Sequence, residues 1–233
     1  MAFGGRFYKR NGRKLPSVTT ICGILDKPAL VYWAANCAVD YIFDEIQPFE
    51  TNDEMVPTKE LWPIIEAARK NWRKVSAKAL DIGSAVHAAI ERYLKTKQEP
   101  EAPSNEVLSA FLAFLEWKDQ HKLEVIQTEH TVYAELYAGT TDLIAMLDGK
   151  KYIIDFKTFT ETSTTQPPYP EAKYQIAAYR SCVPDAEGSG ILYLGKGMGI
   201  MKWVDVSESY QTDLEIFNHL VQVYYLTHPE LGR

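Results

Sequence analysis

Hydrophobic and polar positions follow three different rhythms along this chain. Over residues 3–15 they alternate loosely on either side of Asn11-Gly12, a dipeptide suited to the left-handed backbone of a tight turn, which predicts a short hairpin. Ser17 then reads as the cap of a helix over residues 18–25, and Pro28 opens a second that reaches about Phe43. Residues 46–57 hold two prolines and several acids and predict a loop. Residues 59–97 return to a helical period, with a break or bend expected around Asp81-Ile82-Gly83. Residues 105–121 carry Val107, Leu108, Phe111, Leu112 and Leu115 at helical spacing. The period then shortens. Residues 124–137, 141–147 and 151–158 are rich in β-formers and predict strands, the last two joined at Asp148-Gly149. A helix over 171–182, a hairpin of 191–194 with 200–206, and a closing helix over 211–226 complete the chain. Helices that precede, interrupt and follow strands predict an α/β fold with a central mixed sheet flanked by helices and a helical N-terminal portion.

The Asp148-Gly149 turn has a chemical consequence. A two-residue turn pairs Leu147 with Lys150 and, five steps on, sets Asp142 opposite Asp155. Cβ atoms so placed lie about 4.5–5.5 Å apart. Lys157, two residues beyond Asp155, points to the same face. Two carboxylates at about 5 Å repel by roughly 3 kcal/mol at an effective dielectric of about 20. Both strands are otherwise apolar, a poor setting for unpaired charge. Lys157 supplies one compensating charge. A divalent cation supplies two and prefers carboxylate oxygen. The plainer alternative is an aspartate–lysine ion pair at a strand end.

Composition sets the class but not the chemistry. With 233 residues, 46% hydrophobic and 24% charged, the chain is long enough for one large globular domain and too apolar to be disordered. No apolar run approaches the length of a membrane helix, so no membrane partner is expected. The basic start lacks the apolar stretch of a secretory signal, and Cys22, Cys37 and Cys182 are too dispersed for a disulfide framework or a zinc set. A reducing, cytoplasmic setting, bacterial or in a phage-infected cell, is the expectation. The net charge of −6 argues mildly against nucleic acid, but charge is local. Arg6, Lys9, Arg10, Arg13 and Lys14 precede the first acid, Asp26, and Arg69, Lys70, Arg73, Lys74 and Lys78 form a second acid-free run.

Further along, His87 and Glu91 share a helical face, as do Gln175 and Tyr179. Each pair alone reads as structural. Taken together, Gly83…His87…Glu91, Gly139-Thr140-Thr141-Asp142, Asp155-Phe156-Lys157 and Gln175-Ile176-Ala177-Ala178-Tyr179 resemble, in order, the motifs of the RecB-like branch of the PD-(D/E)XK nuclease superfamily. The likeness spans Gly83 to Tyr179. Leu15-Pro16-Ser17-Val18-Thr19-Thr20-Ile21, with Pro28, Leu30 and Trp33, further looks like the group containing the mitochondrial genome-maintenance exonuclease and similar phage proteins.

The resemblance implies a restriction-endonuclease-like fold in a single domain. Residues 1–80 would be its mainly helical N-terminal part, 81–206 the nuclease core and 207–233 the C-terminal helix. It implies Mg²⁺ or Mn²⁺ held by Asp142, Asp155, His87 and the Phe156 carbonyl; some relatives carry an iron–sulfur cluster on four cysteines, and with only three, dispersed, this chain is expected to lack one. Lys157 would steady phosphate charge beside the attacking water. Gln175 and Tyr179 would orient the lysine or meet the DNA backbone. Glu129, on the preceding strand, reads as a solvated strand residue, with a supporting role in the site as the alternative. Lys70, Arg73, Lys74 and Lys78 would contact DNA from a helical arch over residues 44–79 that admits single strands. The implied activity is metal-dependent exonucleolytic hydrolysis of DNA with a free end or single-stranded, in recombination, repair or phage genome processing. An endonuclease or flap nuclease, a DNA-binding subunit without catalysis, and a small-molecule enzyme are the competing readings.

Overall fold

The computed structural model describes residues 5–51, 55–101, 103–160 and 169–231, without the side chains of residues 50 and 51. The chain divides into two compact units, one formed by Met1–Leu25 with Gly83–Arg233 and the other by Asp26–Ile82.

The first unit is built on a five-stranded mixed sheet in the order β3-β4-β5-β6-β7. Its strands are β3 (Leu123–Tyr133), β4 (Ala138–Leu147), β5 (Lys150–Phe159), β6 (Gly188–Gly195) and β7 (Met201–Asp205). β3, β4 and β5 run antiparallel in succession. β5 and β6 are parallel, joined through helix α5 (Pro170–Ser181), and β7 returns antiparallel to β6. A separate hairpin of β1 (Phe7–Arg10) and β2 (Arg13–Pro16) turns at Asn11 and Gly12, both at positive φ, as the sequence predicts. Ser17 follows it and caps helix α1 (Val18–Cys22), its Oγ accepting from the Thr20 N–H at 3.0 Å. Ser17 also bridges to Ala138, at the start of β4.

Both faces of the sheet are covered, which is what its nearly continuous apolar strands require. On one face α1, α5 and α6 (Tyr210–Thr227) share a core with Ile144, Ile153, Ile176, Ile191 and Phe217. On the other, α4 (Asn105–Asp119) sets Phe114 edge-on to Phe156 at 5.7 Å and Trp117 against Trp203 at 5.2 Å. Deleting a ring buried like that of Phe156 costs about 3–5 kcal/mol. The mixed α/β class, the flanking helices and the helical N-terminal portion are those the periodicity predicts.

The second unit holds α2 (Pro28–Thr51) and the first part of α3 (Thr58–Thr96), whose later turns belong to the first unit. Asn71 Nδ2 donates to the Cys37 carbonyl at 3.1 Å and ties the two helices. The helical N-terminal block expected over residues 1–80 is therefore split. The hairpin and α1 pack with the sheet because Ser17 and Tyr8 bond to β4.

Several boundaries differ from expectation. Of the loop expected over 46–57, residues 46–51 continue α2, 55–57 are neither helix nor strand, and 52–54 lie outside the described residues. Pro48 lies inside α2, and only Pro57 marks a helix start, its carbonyl accepting from Glu60 and Leu61. No break interrupts α3 at Asp81-Ile82-Gly83, since one glycine costs a helix only about 1 kcal/mol against alanine and Val86, Ile90 and Leu94 are buried just beyond it. The strand expected over 124–137 ends at Tyr133, where the Ala134 N–H turns back to the Tyr137 carbonyl and lets β4 begin at Ala138. Among the described residues no helix is long and apolar enough to cross a membrane.

Candidate active site

The Asp148-Gly149 turn has both residues at positive φ and pairs Leu147 with Lys150. The ladder between β4 and β5 continues in the expected register to Leu143 and Ile154, then stops. Asp142 and Asp155 occupy the next step but do not form a ladder pair. Instead Asp142 Oδ2 accepts the Phe156 N–H at 2.7 Å, so a carboxylate takes the place of a strand carbonyl. Beyond this point β4 pairs with β3 alone and β5 with β6 alone. The sheet forks where the first aspartate sits.

Asp155 lies deeper, at 1% exposure, and is held from two sides. Lys157 Nζ stands 2.6 Å from its Oδ2, and Gln175 Nε2 donates to its Oδ1 at 3.1 Å. The same Gln175 amide donates to the Tyr179 hydroxyl at 3.1 Å, and its Oε1 lies 3.4 Å from Lys157 Nζ. Lys157, Gln175 and Tyr179 thus form one network around Asp155. Tyr179 is packed tightly against β4, where a Cβ added to Gly139 would come within 2.4 Å of its ring. Glycine at 139 is a requirement of space, since any side chain would displace Tyr179 and, through it, Gln175.

A second group faces the other oxygen of Asp142. His87, on α3, places Nδ1 3.3 Å from Asp142 Oδ1, and its ring meets Phe156 edge-on at 5.9 Å. Glu129 completes the group: donor atoms of His87, Glu129 and Asp142 all lie within 4.8 Å of one another. Thr128 pairs with Leu143 and His130 with Thr141, which sets Glu129 opposite Asp142 on the neighbouring strand. Glu129 has φ +48, a left-handed backbone that costs a non-glycine residue of order 1–3 kcal/mol. The expectation of an ordinary solvated strand residue is half right: Glu129 is exposed, but its carboxylate joins the site. Glu91, which shares a helical face with His87, pairs with Lys95 instead.

The electrostatics fit a site short of positive charge. Burial raises the Asp155 pKa, Lys157 opposes that, and Asp142 adds to it, leaving the net shift upward. Burial pulls Lys157 down, but Asp155 and Asp142 outweigh it and hold it as ammonium. His87 is pulled down by burial, yet its hydrogen bond to Asp142 and the charges of Asp142 and Asp155 raise it overall. Burial and then Asp142 raise Glu129. Three carboxylates thus gather around one ammonium and one imidazole. A hard dication with some tolerance for nitrogen is the complement of such a donor set.

Phe156 is buried, with its N–H spent on Asp142. The four predicted DNA-contacting cations, Lys70, Arg73, Lys74 and Lys78, are all exposed on α3 in the second unit, with the Arg73 guanidinium 5.3 Å above the Trp72 ring.

No protein-family model and no curated relative matches the sequence. Among solved structures the chain is similar to the crystal structure of SSO0001, at 20% identity over 60% of this chain and 72% of that one, with a TM-score of 0.30. It is also similar to an alkaline exonuclease from Laribacter hongkongensis, at 10% identity over 70% of this chain and 86% of that one, with a TM-score of 0.33. Likeness at such TM-scores carries neither fold nor function across, and the site stands on its own geometry.

Proposed function

We propose that the chain is a metal-dependent nuclease of restriction-endonuclease-like fold that hydrolyses DNA phosphodiesters from a free end. The observation that supports this best is the fork at Asp142. One carboxylate there is shared between the His87–Glu129 group and the strand leading to the buried Asp155–Lys157 pair. Asp142, Asp155 and His87 would hold Mg²⁺ or Mn²⁺, with Glu129 and the Phe156 carbonyl completing the set. When bound, such an ion polarises a phosphoryl oxygen and eases deprotonation of water.

The chain's own groups would do the rest. Lys157 is kept protonated by its two acids, so it serves as a fixed positive charge beside the phosphate rather than as a base. Gln175 holds both Lys157 and Asp155 in place and is itself held by Tyr179. Asp142 is oriented by a backbone amide, so its position inherits the stiffness of β5. Lys70, Arg73, Lys74 and Lys78 would meet the phosphate backbone from the second unit, with Trp72 available for stacking.

The test is digestion of single- and double-stranded oligonucleotides labelled at the 5′ or 3′ end, alongside closed circles, with Mg²⁺, Mn²⁺ or EDTA. Release of label from ends in either metal, with circles spared and EDTA samples intact, is expected. Cleaved circles would make the enzyme an endonuclease of the same site chemistry. Hydrolysis in EDTA, or none in either metal, would overturn the proposal.

A further inference from the structure

The hairpin of β1 and β2 is costly by its own sequence. Its register sets Lys9 against Lys14 and Arg10 against Arg13, two like-charged pairs directly across from each other. Such pairs are destabilising. Arg6 adds a fifth cation, and among the described residues none of the five lies within ion-pair distance of a carboxylate, in a chain that carries 31 acids. Three of the cations are steadied by rings instead. Lys14 Nζ lies 3.9 Å from the Phe7 centroid, the Arg10 guanidinium 5.2 Å from Tyr133 and the Arg6 guanidinium 5.1 Å from Tyr8. An aromatic face orients a cation without neutralising it, so the charge stays available.

The hairpin is also fixed beside the site, in the same compact unit. Tyr8 Oη and Thr140 Oγ1 are 2.9 Å apart, and Thr140 lies two residues before Asp142 on β4, about 6.7 Å along the strand and on the same face. The Arg6 backbone carbonyl accepts from the Ser17 N–H, which ties the start of the hairpin to the cap of α1.

From this placement we infer that Arg6 and the hairpin Phe7–Pro16 form the grip for the phosphate backbone of the nucleic-acid strand whose end enters the site. The inference rests on the nuclease reading and names the surface that presents the substrate to it. A strand of phosphates spaced along a backbone matches a row of uncompensated cations, and the contact carries no sequence information. An anionic membrane fits less well. The hairpin's apolar residues face inward, with Leu15 and Pro16 buried and Phe7 and Tyr8 half-buried, and leave nothing to insert into a bilayer.

The test uses the full chain with Lys9→Ala, Arg10→Ala, Arg13→Ala and Lys14→Ala combined. Affinity for a fluorescent 20-mer of thymidylate is measured in EDTA across a salt series. The variant should bind at least tenfold more weakly at low salt. The slope of log affinity against log salt should flatten by about 1.4–2.8, which is ~0.7 for each of two to four lost contacts. Its Tm should equal or exceed that of the parent, because like-charge pairs have been removed. If that protein folds poorly, Lys9→Gln with Lys14→Gln carries the same test at half the expected slope change. An unchanged slope in a parent that digests DNA would overturn the grip and leave the nuclease standing. A flattened slope in a parent that never digests DNA would keep the grip and overturn the nuclease. Loss of binding to phosphatidylcholine–phosphatidylserine vesicles, with the DNA slope unchanged, would move the surface to membranes and also overturn it.

Discussion

The two compact units use charge in opposite ways. In the sheet unit Asp155 is buried and each of its oxygens is engaged, by Lys157 and by Gln175. In the helical unit Lys70, Arg73 and Lys74 point into solvent, and the only buried side chains among its described residues are Cys37 and Ala68. Leu30, Val31, Tyr32, Phe43 and Trp62 are exposed there as well. Making or breaking a covalent bond demands fixed geometry, and a packed sheet supplies it. Attracting a polyanion demands less fixed geometry, because charge acts at a distance. Under the proposed function the chemistry would sit in the first unit, while exposed cations on the second unit and on the β1–β2 hairpin would attract the substrate.

The sharpest way to break that contrast is to disable the buried pair. Asp155→Asn and Lys157→Ala should each lower DNA hydrolysis by at least ~10²–10³-fold, the scale seen when a preorganised electrostatic partner is lost. End-labelled digestion reads the rate, and circular dichroism checks that the fold persists. Next in size is Glu129→Gln, which should cost about 10–100-fold in activity or apparent metal affinity. A Mn²⁺ titration should show part of that loss recovered at high metal. An unshifted titration would leave Glu129 outside the ligand set.

Smaller effects belong to the helical unit. Replacing Lys70, Lys74 and Lys78 by alanine should weaken single-strand binding and reduce its salt slope by up to ~2, at about 0.7 per contact. Anisotropy across a salt series measures both, and an unchanged slope would remove attraction from this unit. The smallest effect is on stability. The folded-state pKa of His87 is raised. Groups of that sign contribute stability that is full below their unfolded values and is lost as pH rises through the folded ones. For His87 the loss begins above its ordinary value of 6.5. In EDTA, Tm should therefore decline from pH 6.5 upward, by ~2–4 °C for each kcal/mol lost. Mn²⁺ should flatten the decline, and a flat profile in EDTA would contradict the reading of the site as short of positive charge.

Much of the sheet unit was legible because its signals are local. Asn11-Gly12 and Asp148-Gly149 fix two turns, and the second fixes the register that brings Asp142 level with Asp155. Ser17 as a cap and the four-residue spacing of Gln175 and Tyr179 needed only neighbours in sequence. Glu129 was harder to read for a definite reason. Its place opposite Asp142 depends on a turn at 134–137 that looks like strand and on a register shift between Val125 and Gln127. Neither has a turn dipeptide to announce it. The prolines misled in the other direction, since Pro48 lies inside a helix and no residue pattern distinguishes it from Pro57.

The fork at Asp142 leaves the molecule with a natural gauge. The Phe156 amide proton rests on a side-chain oxygen instead of a neighbouring strand. Its resonance and its exchange with deuterium should track whatever occupies Asp142, so a single labelled phenylalanine amide would register ion loading before any substrate is added.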